Sequence, residues 1–216
     1  TGPAGETLRL ESPLPGLFNA ANALGAYVSL LAAGIDPEYA RAGLLLARSV
    51  PGRMERVGAQ SVGFPVFIDY AHTPDAVRRV LSAGRELSLG SVITVMGCGG
   101  DRDRDKRPRM GEIAATNADV LIVTDDNPRS EDPAAIRAEV LSGVPDAFRA
   151  RVQEIGDRRA AIRAAVLAGK PGDVVLILGK GHEQGQEVAG VVSPFDDRSE
   201  ALEAIRQPGV ARLDRS

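Results

Sequence analysis

Short hydrophobic runs alternate with segments of helical spacing along the chain from residue 51 onward. The runs are continuous rather than alternating, which is typical of strands that helices cover on both faces of a parallel sheet. The order strand, loop, helix, strand predicts an open α/β domain with a mostly parallel sheet. The predicted strands are residues 66–68, 91–95, 119–124, 151–155 and 173–178.

Helix-start signals lie between the predicted strands. Thr73 and Asp132 each precede a proline, as expected for an N-cap followed by proline at the first helical position. Asp157 predicts a third helix start. Asp197, with Glu200 three residues later, predicts a capping box at a fourth.

The first fifty residues follow a helical pattern without an evident sheet. Residues 20–31 place apolar side chains at helical spacing, and Gly34 predicts the end of that helix. Asp36, followed by proline, predicts the start of a second helix, and residues 49–52 predict a linker. We therefore predict a helical segment over 1–50, an α/β domain over 51–206 and a flexible tail over 207–216. The helical pair alone would expose an apolar face, and the chain does not begin with methionine, so we expect a fragment.

Composition narrows the class of protein. Hydrophobic residues make up 44% and charged residues 25%, which excludes disordered and collagen-like chains. The net charge of −3 gives no general attraction to nucleic acid or anionic membranes, so neither partner is expected. No apolar run approaches the roughly 20 residues of a membrane helix. A single cysteine, Cys98, and an opening without signal-peptide character predict a cytoplasmic location.

Unusual polar and glycine residues follow the predicted strands. In an open parallel sheet, ligands bind beyond the carboxyl ends of the strands, which lie at one edge. We therefore predict a binding site at this edge. The loops concerned are residues 69–74, 97–104, 125–129 and 179–183.

The glycine-rich residues 97–100 have two interpretations. They could let backbone amides approach a ligand, or they could form a tight strand-to-helix turn. They match neither the P-loop nor the dinucleotide fingerprint. The charged run over 101–107 could likewise be a solvated surface whose charges pair with one another, or Arg102 could contact a ligand.

Residues 126–129 read Asp, Asn, Pro, Arg. Arg129 could bind both oxygens of a carboxylate, while Asp126 and Asn127 could hold an ammonium, so together they could grip an amino acid by both charges. The alternative is an Asx-turn with a surface arginine. Glu183, in the last loop, could accept a hydrogen bond from a ligand amine.

Two histidines and the cysteine carry weaker signals. His72 and His182 could be ligands or bases, but such histidines more often bond to neighbours, and metal binding is not expected. Cys98 could be a nucleophile, but no activating base is identifiable, and a small residue in a crowded turn is the favoured interpretation.

Taken together, six segments in this order resemble the Mur ligases over nearly the whole chain. No single segment would carry that resemblance alone. The segments are residues 18–23, 51–55, 69–74, 97–102, 126–129 and 179–183.

The resemblance implies an amino-terminal UDP-binding domain, a central ATPase domain and a Rossmann-like carboxyl-terminal domain with helices on both sheet faces. Residues 1–50 would then be the last helices of the central domain, and 51–206 the amino-acid-binding domain. The absent P-loop agrees with this. ATP and Mg²⁺ would be held mainly by the domain outside this chain, and the fragment alone would be inactive.

The implied reaction is an amide ligation of peptidoglycan biosynthesis. ATP phosphorylates the D-glutamate γ-carboxylate of the UDP-MurNAc-dipeptide, and the amine of the next amino acid attacks the acyl phosphate. Family members that add meso-diaminopimelate carry the D-N-P-R motif found here. L-lysine lacks the second carboxylate and would leave a buried arginine unpaired, which is costly. We therefore expect meso-diaminopimelate as substrate, and a monomeric enzyme.

The resemblance also assigns residues by motif, with no catalytic residue and no metal ligand in this chain. Nucleotide contacts are expected from Asn22, Arg53, Asp69 and His72. Contacts to meso-diaminopimelate are expected from Arg102, Asp126, Asn127, Pro128, Arg129, Gly179 and Glu183.

Three other functions agree with parts of the sequence. A folylpolyglutamate-synthase-like ligase shares the architecture, but the loops at 126–129 and 179–183 argue against it. A non-catalytic module that binds an amino acid or a nucleotide remains open for the fragment itself. A nicotinamide-dependent dehydrogenase is weakened by the missing dinucleotide fingerprint.

Overall fold

The computed structural model describes residues 8–58 and 62–212. The chain divides into two compact units, Thr1–Ser49 and Val50–Ser216. The division falls beside the linker predicted around residue 50. The assignment of the first unit to an ATP-binding domain remains a prediction. Within the described residues, no helix is both long enough and apolar enough to cross a membrane.

The first unit contains the two predicted helices, α1 (Leu17–Ala32) and α2 (Pro37–Leu45). Gly34 follows α1 with φ 81°, and the N–H of Ile35 donates to Leu30 O at 3.0 Å, which closes the helix end. At the start of α2, Asp36 accepts a hydrogen bond from the N–H of Glu38 at 2.9 Å. The terminating and starting signals in the sequence are both confirmed.

The two helices pack through a small core and leave apolar side chains exposed. Tyr27, Ala40 and Leu44 are buried against each other. By contrast, Leu24 is 55% and Leu46 79% exposed. The apolar face expected of the helical pair is therefore present.

The second unit contains the α/β domain. Its helices are α3 (Pro74–Leu87), α4 (Lys106–Asn117), α5 (Pro133–Ser142), α6 (Arg158–Ala168) and α7 (Asp197–Arg206), with a 3₁₀ helix at Asp146–Arg151. Its strands are β1 (Glu55–Val57), β2 (Val66–Asp69), β3 (Val92–Met96), β4 (Val120–Val123), β5 (Val152–Glu154), β6 (Val174–Leu178), β7 (Gly185–Val188) and β8 (Val191–Pro194).

The main sheet has the order β1-β2-β6-β3-β4-β5. All neighbours are parallel except β1, which pairs antiparallel with β2 at the edge. Every residue of β2, β3 and β6 is buried. The continuous hydrophobic runs therefore mark strands that are covered on both faces, and the predicted α/β fold is confirmed.

Helices cover both faces of this sheet. On one face, α6 and α7 pack with alternate strand residues in a core that includes Ile68, Val95 and Ile177. On the opposite face α3 lies close to β6, since a Cβ at Gly84 would stand 2.8 Å from Leu176 Cδ1. Helices α4 and α5 continue that layer over β4.

Several local features differ from the sequence analysis. The N-cap of α7 is Asp196, which accepts from the N–H groups of Arg198 and Ser199, so the predicted capping box at Asp197 is wrong. Strand β1 and the β7–β8 hairpin were not predicted, because their residues are largely polar or exposed.

The beginning of the predicted tail is packed. Val210 is buried in the core beside α7, and Ala211 O accepts from the N–H of Gly63 at 3.0 Å. Burial of Val210 and the hydrogen bond to Ala211 hold this part of the tail against the domain, whereas 213–216 lie outside the described residues.

A fully buried ion pair joins the starts of α6 and α7. The guanidinium of Arg158 donates to both oxygens of Asp197, at 2.7 Å each, and neither side chain is exposed. The same guanidinium donates to Leu178 O at 3.0 Å and to Asp125 O at 3.4 Å. It therefore satisfies carbonyl groups where β6 and β4 end.

Breaking this pair should strongly destabilise the domain. We expect Arg158→Met to lower the free energy of unfolding by about 3–5 kcal/mol, because it leaves the Asp197 carboxylate buried without its partner. Urea unfolding measures the change. The control is Arg79→Met, which removes an exposed ion pair with Asp75 on α3 and should have little effect. Equal losses in the two variants would contradict the prediction.

Candidate functional site

Four loops meet at the carboxyl edge of the sheet. Because β6 lies between β2 and β3, the loop after β6 lies between the loops after β2 and β3, and the loop after β4 comes next. The N–H of Gly179 donates to Asp69 O at 3.1 Å, which joins the β2 and β6 loops directly. The predicted grouping of the motifs at one edge is confirmed.

The ammonium of Lys180 lies at the centre of this edge. Its Nζ donates to Asn127 Oδ1 at 2.9 Å and lies 3.4 Å from Glu183 Oε2 and 3.9 Å from Asp126 Oδ1. The side-chain amide of Asn127 donates to Glu183 Oε2 at 2.7 Å. The structure therefore brings Asp126, Asn127 and Glu183 together, and it adds a fully buried lysine that the sequence analysis did not single out.

Burial changes the acidity of Asp126. It raises the pKa of this carboxyl, while the nearby cations Arg158 and Lys180 act in the opposite direction. A carboxyl in this position can accept a hydrogen bond from a ligand ammonium when it is ionised. The two cations thus favour the ionised form of this carboxyl against the effect of burial.

Gly179 has no room for a side chain. Its φ is 117°, and a Cβ would collide with Asp126 Oδ2. The glycine after β6 therefore allows the loop to pass directly beside the carboxylate. This close packing requires a glycine at position 179, and its contact with the ligand remains a prediction.

Arg129 is held by a bridge to the hairpin. Its N–H donates to Glu187 O at 3.0 Å, its carbonyl accepts from the N–H of Ala189 at 2.7 Å, and its φ is 54°. Its Nη1 donates to Gly100 O at 2.8 Å, and its Nε lies 3.7 Å from Glu187 Oε2. The guanidinium remains partly exposed, with 22% of the side chain accessible.

The unpredicted hairpin also supports the other site residues. Gln186 Nε2 donates to Asp126 O at 2.8 Å, and the N–H of Glu187 donates to Asn127 Oδ1 at 3.1 Å. No local signal identified this support, because β7 and β8 contain few buried apolar residues. The segment after Glu183 therefore contributes to the site through the side chain of Gln186 and the backbone of Glu187.

The glycine-rich loop packs against the loop that contains Arg129. A Cβ at Gly100 would overlap Pro128 O, and one at Gly97 would stand 2.6 Å from Thr124 O. Gly99 lies beside both site arginines, since its Cβ would stand 2.8 Å from Arg129 Nη1 and 3.9 Å from the Arg102 Cγ. These glycines therefore let the loop pack closely against neighbouring protein atoms.

The charged run at 101–107 is only partly solvated. Arg102 is exposed, and its Nη1 donates to Asp101 O at 2.9 Å. Arg107, however, is fully buried and pairs with Glu131 at 2.7 Å and Glu139 at 2.8 Å. The interpretation as a surface with internally paired charges is wrong at this residue, because its partners lie outside the run.

The four residues predicted to contact a nucleotide are distributed over both units. Asn22 lies on α1, where its Nδ2 donates to Asn19 Oδ1 at 3.3 Å. Arg53 is exposed, with its guanidinium 4.9 Å from the centre of the Tyr70 ring. His72 is also exposed, and its Nδ1 lies 2.8 Å from Tyr70 O. Their predicted nucleotide contacts remain predictions.

Asp69 is engaged within the protein. Its two oxygens accept from the N–H groups of Met54 and Ala71, each at 2.8 Å. Burial raises the pKa of its carboxyl, although these N–H groups and Arg53 act against the increase. The carboxylate therefore connects the chain near β1 to the end of β2.

Cys98 is buried in the turn after β3. Its Sγ lies 3.7 Å from Met110 Sδ, and burial raises the pKa of the thiol to about 12. This environment favours an inert thiol over a nucleophile. Among the described residues, no group of three or more His, Cys, Asp or Glu side chains could hold a metal ion.

An open α/β sheet with charged loops gathered at its carboxyl edge defines a ligand-binding domain. Residues 52–181 match the family described as "Mur ligase, glutamate ligase domain". The chain therefore belongs to the Mur ligase family, which confirms the resemblance found in its motifs.

Two relatives are named UDP-N-acetylmuramoyl-L-alanyl-D-glutamate–2,6-diaminopimelate ligase. The protein from Streptomyces coelicolor is 53% identical over 209 residues, which cover 95% of this chain and 41% of the relative. The protein from Caulobacter vibrioides is 51% identical over 212 residues, which cover 94% of this chain and 43% of the relative. The chain thus spans about two fifths of the length of these relatives.

Solved structures agree with this fold. A ligase with the same name aligns with a TM-score of 0.70 and 41% identity, covering 91% of this chain and 40% of that one. Folylpolyglutamate synthase from Mycobacterium tuberculosis aligns with a TM-score of 0.59 and 26% identity, covering 79% of this chain and 39% of that one. The first of these matches is the stronger in both identity and coverage.

The collision at Gly179 leads to a stability prediction. We expect Gly179→Ala to destabilise the domain by at least about 1 kcal/mol more than Gly190→Ala, because its Cβ would overpack against Asp126. Gly190 also has a positive φ, 76°, but no atom lies within 4 Å of its Cβ position. Urea unfolding of both variants gives the difference, and equal values would show that the loop yields without cost.

The buried thiol leads to a reactivity prediction. At mildly alkaline pH we expect a chromogenic disulfide reagent to leave native Cys98 almost unlabelled, since a pKa of about 12 leaves little thiolate. The unfolded chain should react fully, with the ordinary pKa of about 8.5. Absorbance of the released thiolate measures both rates, with free cysteine as the control. Rapid labelling of the native chain would contradict this interpretation.

Proposed function

We propose that this chain is the amino-acid-binding part of an ATP-dependent ligase of peptidoglycan biosynthesis. The ligase joins meso-diaminopimelate to the D-glutamate γ-carboxylate of the UDP-MurNAc-dipeptide through an acyl phosphate. The relatives named for this activity, at about half identity over nearly all of the chain, support the proposal. We further propose a cytoplasmic, monomeric enzyme.

One arrangement carries the choice of ligand. A partly exposed guanidinium, Arg129, stands on the same loop as Asn127, whose amide contacts Glu183. A group that can bind a carboxylate and a group beside the ammonium acceptors thus lie two residues apart on one rigid loop. One end of an amino acid carries those two charges side by side, so this loop fits an α-amino-acid group.

The second carboxylate of the substrate decides between two amino acids. In our proposal Arg129, with Arg102 beside it over Gly99, receives the carboxylate at one end of meso-diaminopimelate, and Asp126 and Glu183, with Asn127 beside them, receive the neighbouring ammonium. L-lysine, bound with its α-amine free to attack, would offer only its ε-ammonium there and no carboxylate. It would desolvate the arginine without pairing it, which costs binding energy.

Gripping one end of a diamino diacid leaves the other amine free. That amine can then attack an acyl phosphate, and the protein contributes by holding it in place. ATP supplies the phosphoryl group that activates the γ-carboxylate, and Mg²⁺ neutralises phosphate charge. We propose that both are held mainly by a part of the ligase outside this chain, so that this chain alone binds without turnover.

The residues assigned to the nucleotide fit it unequally. Arg53 and His72 are exposed and could reach a phosphate or a ribose, and Asn22, on the first unit, is exposed as well. Both carboxylate oxygens of Asp69 accept hydrogen bonds from backbone N–H groups. We therefore propose that Asp69 shapes the loops that carry Arg53 and His72, rather than touching the nucleotide.

Two alternatives remain distinguishable. A folylpolyglutamate-synthase-like ligase would bind glutamate, a diacid with a single amine. A non-catalytic module would bind its amino acid as this part of a ligase does, so binding to the chain alone does not distinguish the two. Comparison of meso-diaminopimelate with glutamate addresses the first, and ligation by the full-length protein addresses the second.

Calorimetric titration of the chain tests the ligand assignment. We expect meso-diaminopimelate to bind at least about tenfold more tightly than L-lysine or L-glutamate, which corresponds to about 1.4 kcal/mol. Arg129→Ala should remove that preference, because the second carboxylate loses its partner. Arg163→Ala, an exposed arginine on α6, is the matched control and should bind like the unaltered chain.

The outcomes separate the hypotheses. Equal binding of lysine and meso-diaminopimelate would contradict the role of Arg129. Preference for glutamate would favour the folylpolyglutamate-type ligase. If no amino acid binds the chain, the same titration with the full-length ligase, ATP and the UDP-MurNAc-dipeptide decides whether the pocket requires the rest of the enzyme.

A further inference from the structure

The fully buried lysine at the centre of the site has no role in the function proposed above. Lys180 is among the largest side chains with no accessible surface. A buried ammonium is costly unless it is paired and hydrogen-bonded. Its three neighbours are Asn127, Glu183 and Asp126, all of them proposed ligand-binding residues.

Lys180 lies behind these residues and not among the groups that face a ligand. Its Nζ donates to the Oδ1 of Asn127, the atom that also accepts from the N–H of Glu187. With Oδ1 so engaged, the amide NH₂ of Asn127 is directed to Glu183. The lysine thus fixes which way the amide points, and the amide in turn fixes the carboxylate.

The charges around the lysine also have a definite sum. With Asp126 and Glu183 both ionised, their two negative charges and the one positive charge of Lys180 would leave one negative charge. Arg158 and Asp197, the other charged pair acting on Asp126, neutralise each other. One negative charge matches one ligand ammonium.

We propose that Lys180 is a positioning residue that orients Asn127 and Glu183 and keeps Asp126 ionised, so that the site accepts a single ammonium group. The inference rests on the proposed function for the identity of the ligand. Its orienting and charge-setting parts concern atoms of this chain alone. It can therefore be tested with and without the amino acid.

The first test uses three variants of the chain. Lys180→Met removes both the charge and the hydrogen bonds at similar size. Lys180→Gln keeps a donor for Asn127 but removes the charge. Lys170→Met makes the same change at an exposed lysine before β6 and serves as the control.

Calorimetry with meso-diaminopimelate across mildly acidic to mildly alkaline pH gives the binding result. We expect Lys180→Met to weaken binding at least about tenfold, or about 1.4 kcal/mol. Its loss of affinity on acidification should begin at higher pH, since Asp126 without the ammonium is more easily protonated. Lys180→Gln should recover much of the affinity at alkaline pH and keep the shifted acid limb.

A second measurement needs no ligand. Carbon-detected NMR titration of the side-chain carboxyls should place the protonation of Asp126 at higher pH in Lys180→Met and Lys180→Gln than in the unaltered chain or Lys170→Met. A merely structural lysine would lower stability without moving this midpoint. If Lys180→Met does not fold, as judged by its amide spectrum, Lys180→Gln carries the same comparison.

The results separate the two proposals. A shifted carboxyl titration in a chain that binds L-lysine or L-glutamate at least as tightly as meso-diaminopimelate would support the role of Lys180 and contradict the ligand assignment. Binding by the unaltered chain, with unchanged affinity and unchanged titration in both Lys180 variants, would overturn the inference and leave the ligand assignment intact.

Discussion

The site depends on the insertion of β6 between β2 and β3. Strand β6 is the last strand of the main sheet in chain order, yet it pairs in parallel with both neighbours over most of its length. This places residues 179–183 in the middle of the carboxyl edge, between the loops of strands that precede it by about a hundred residues. Without that pairing, Lys180 and Glu183 could not reach the loop after β4.

Four of the five strands that could be predicted from sequence have both faces covered, whereas the fifth, edge strand β5, has no buried residue. Continuous hydrophobic runs identify β2, β3, β4 and β6, because a side chain pointing to either face is buried. Edge strand β1 and the β7–β8 hairpin carry no such run, and they were missed. Strand order was also unreadable, since parallel pairing leaves no local mark that says which run lies beside which.

The residues of the site also differ in how far the sequence reveals them. Asp126, Asn127 and Glu183 could be found because unusual polar residues directly follow strands that end at one edge. Lys180 could not, since lysine is almost always exposed and only the tertiary structure places it behind its neighbours. The buried Arg107 in a run of charges was misread for the same reason. Asp69 carried a ligand-like signal, and the structure adds that its oxygens accept hydrogen bonds from backbone N–H groups; its nucleotide contact remains a prediction.

Contacts within the protein hold Arg129 and the neighbouring loops in place. Arg129 occupies a left-handed backbone conformation, which costs on the order of 1–3 kcal/mol for a residue other than glycine. Its bridge to the hairpin and the bond from Nη1 to Gly100 O offset that cost within the protein. Close packing at Gly100 and Gly179 leaves their loops little freedom. A ligand that meets such a site need not order it, so its binding energy is retained for discrimination among amino acids.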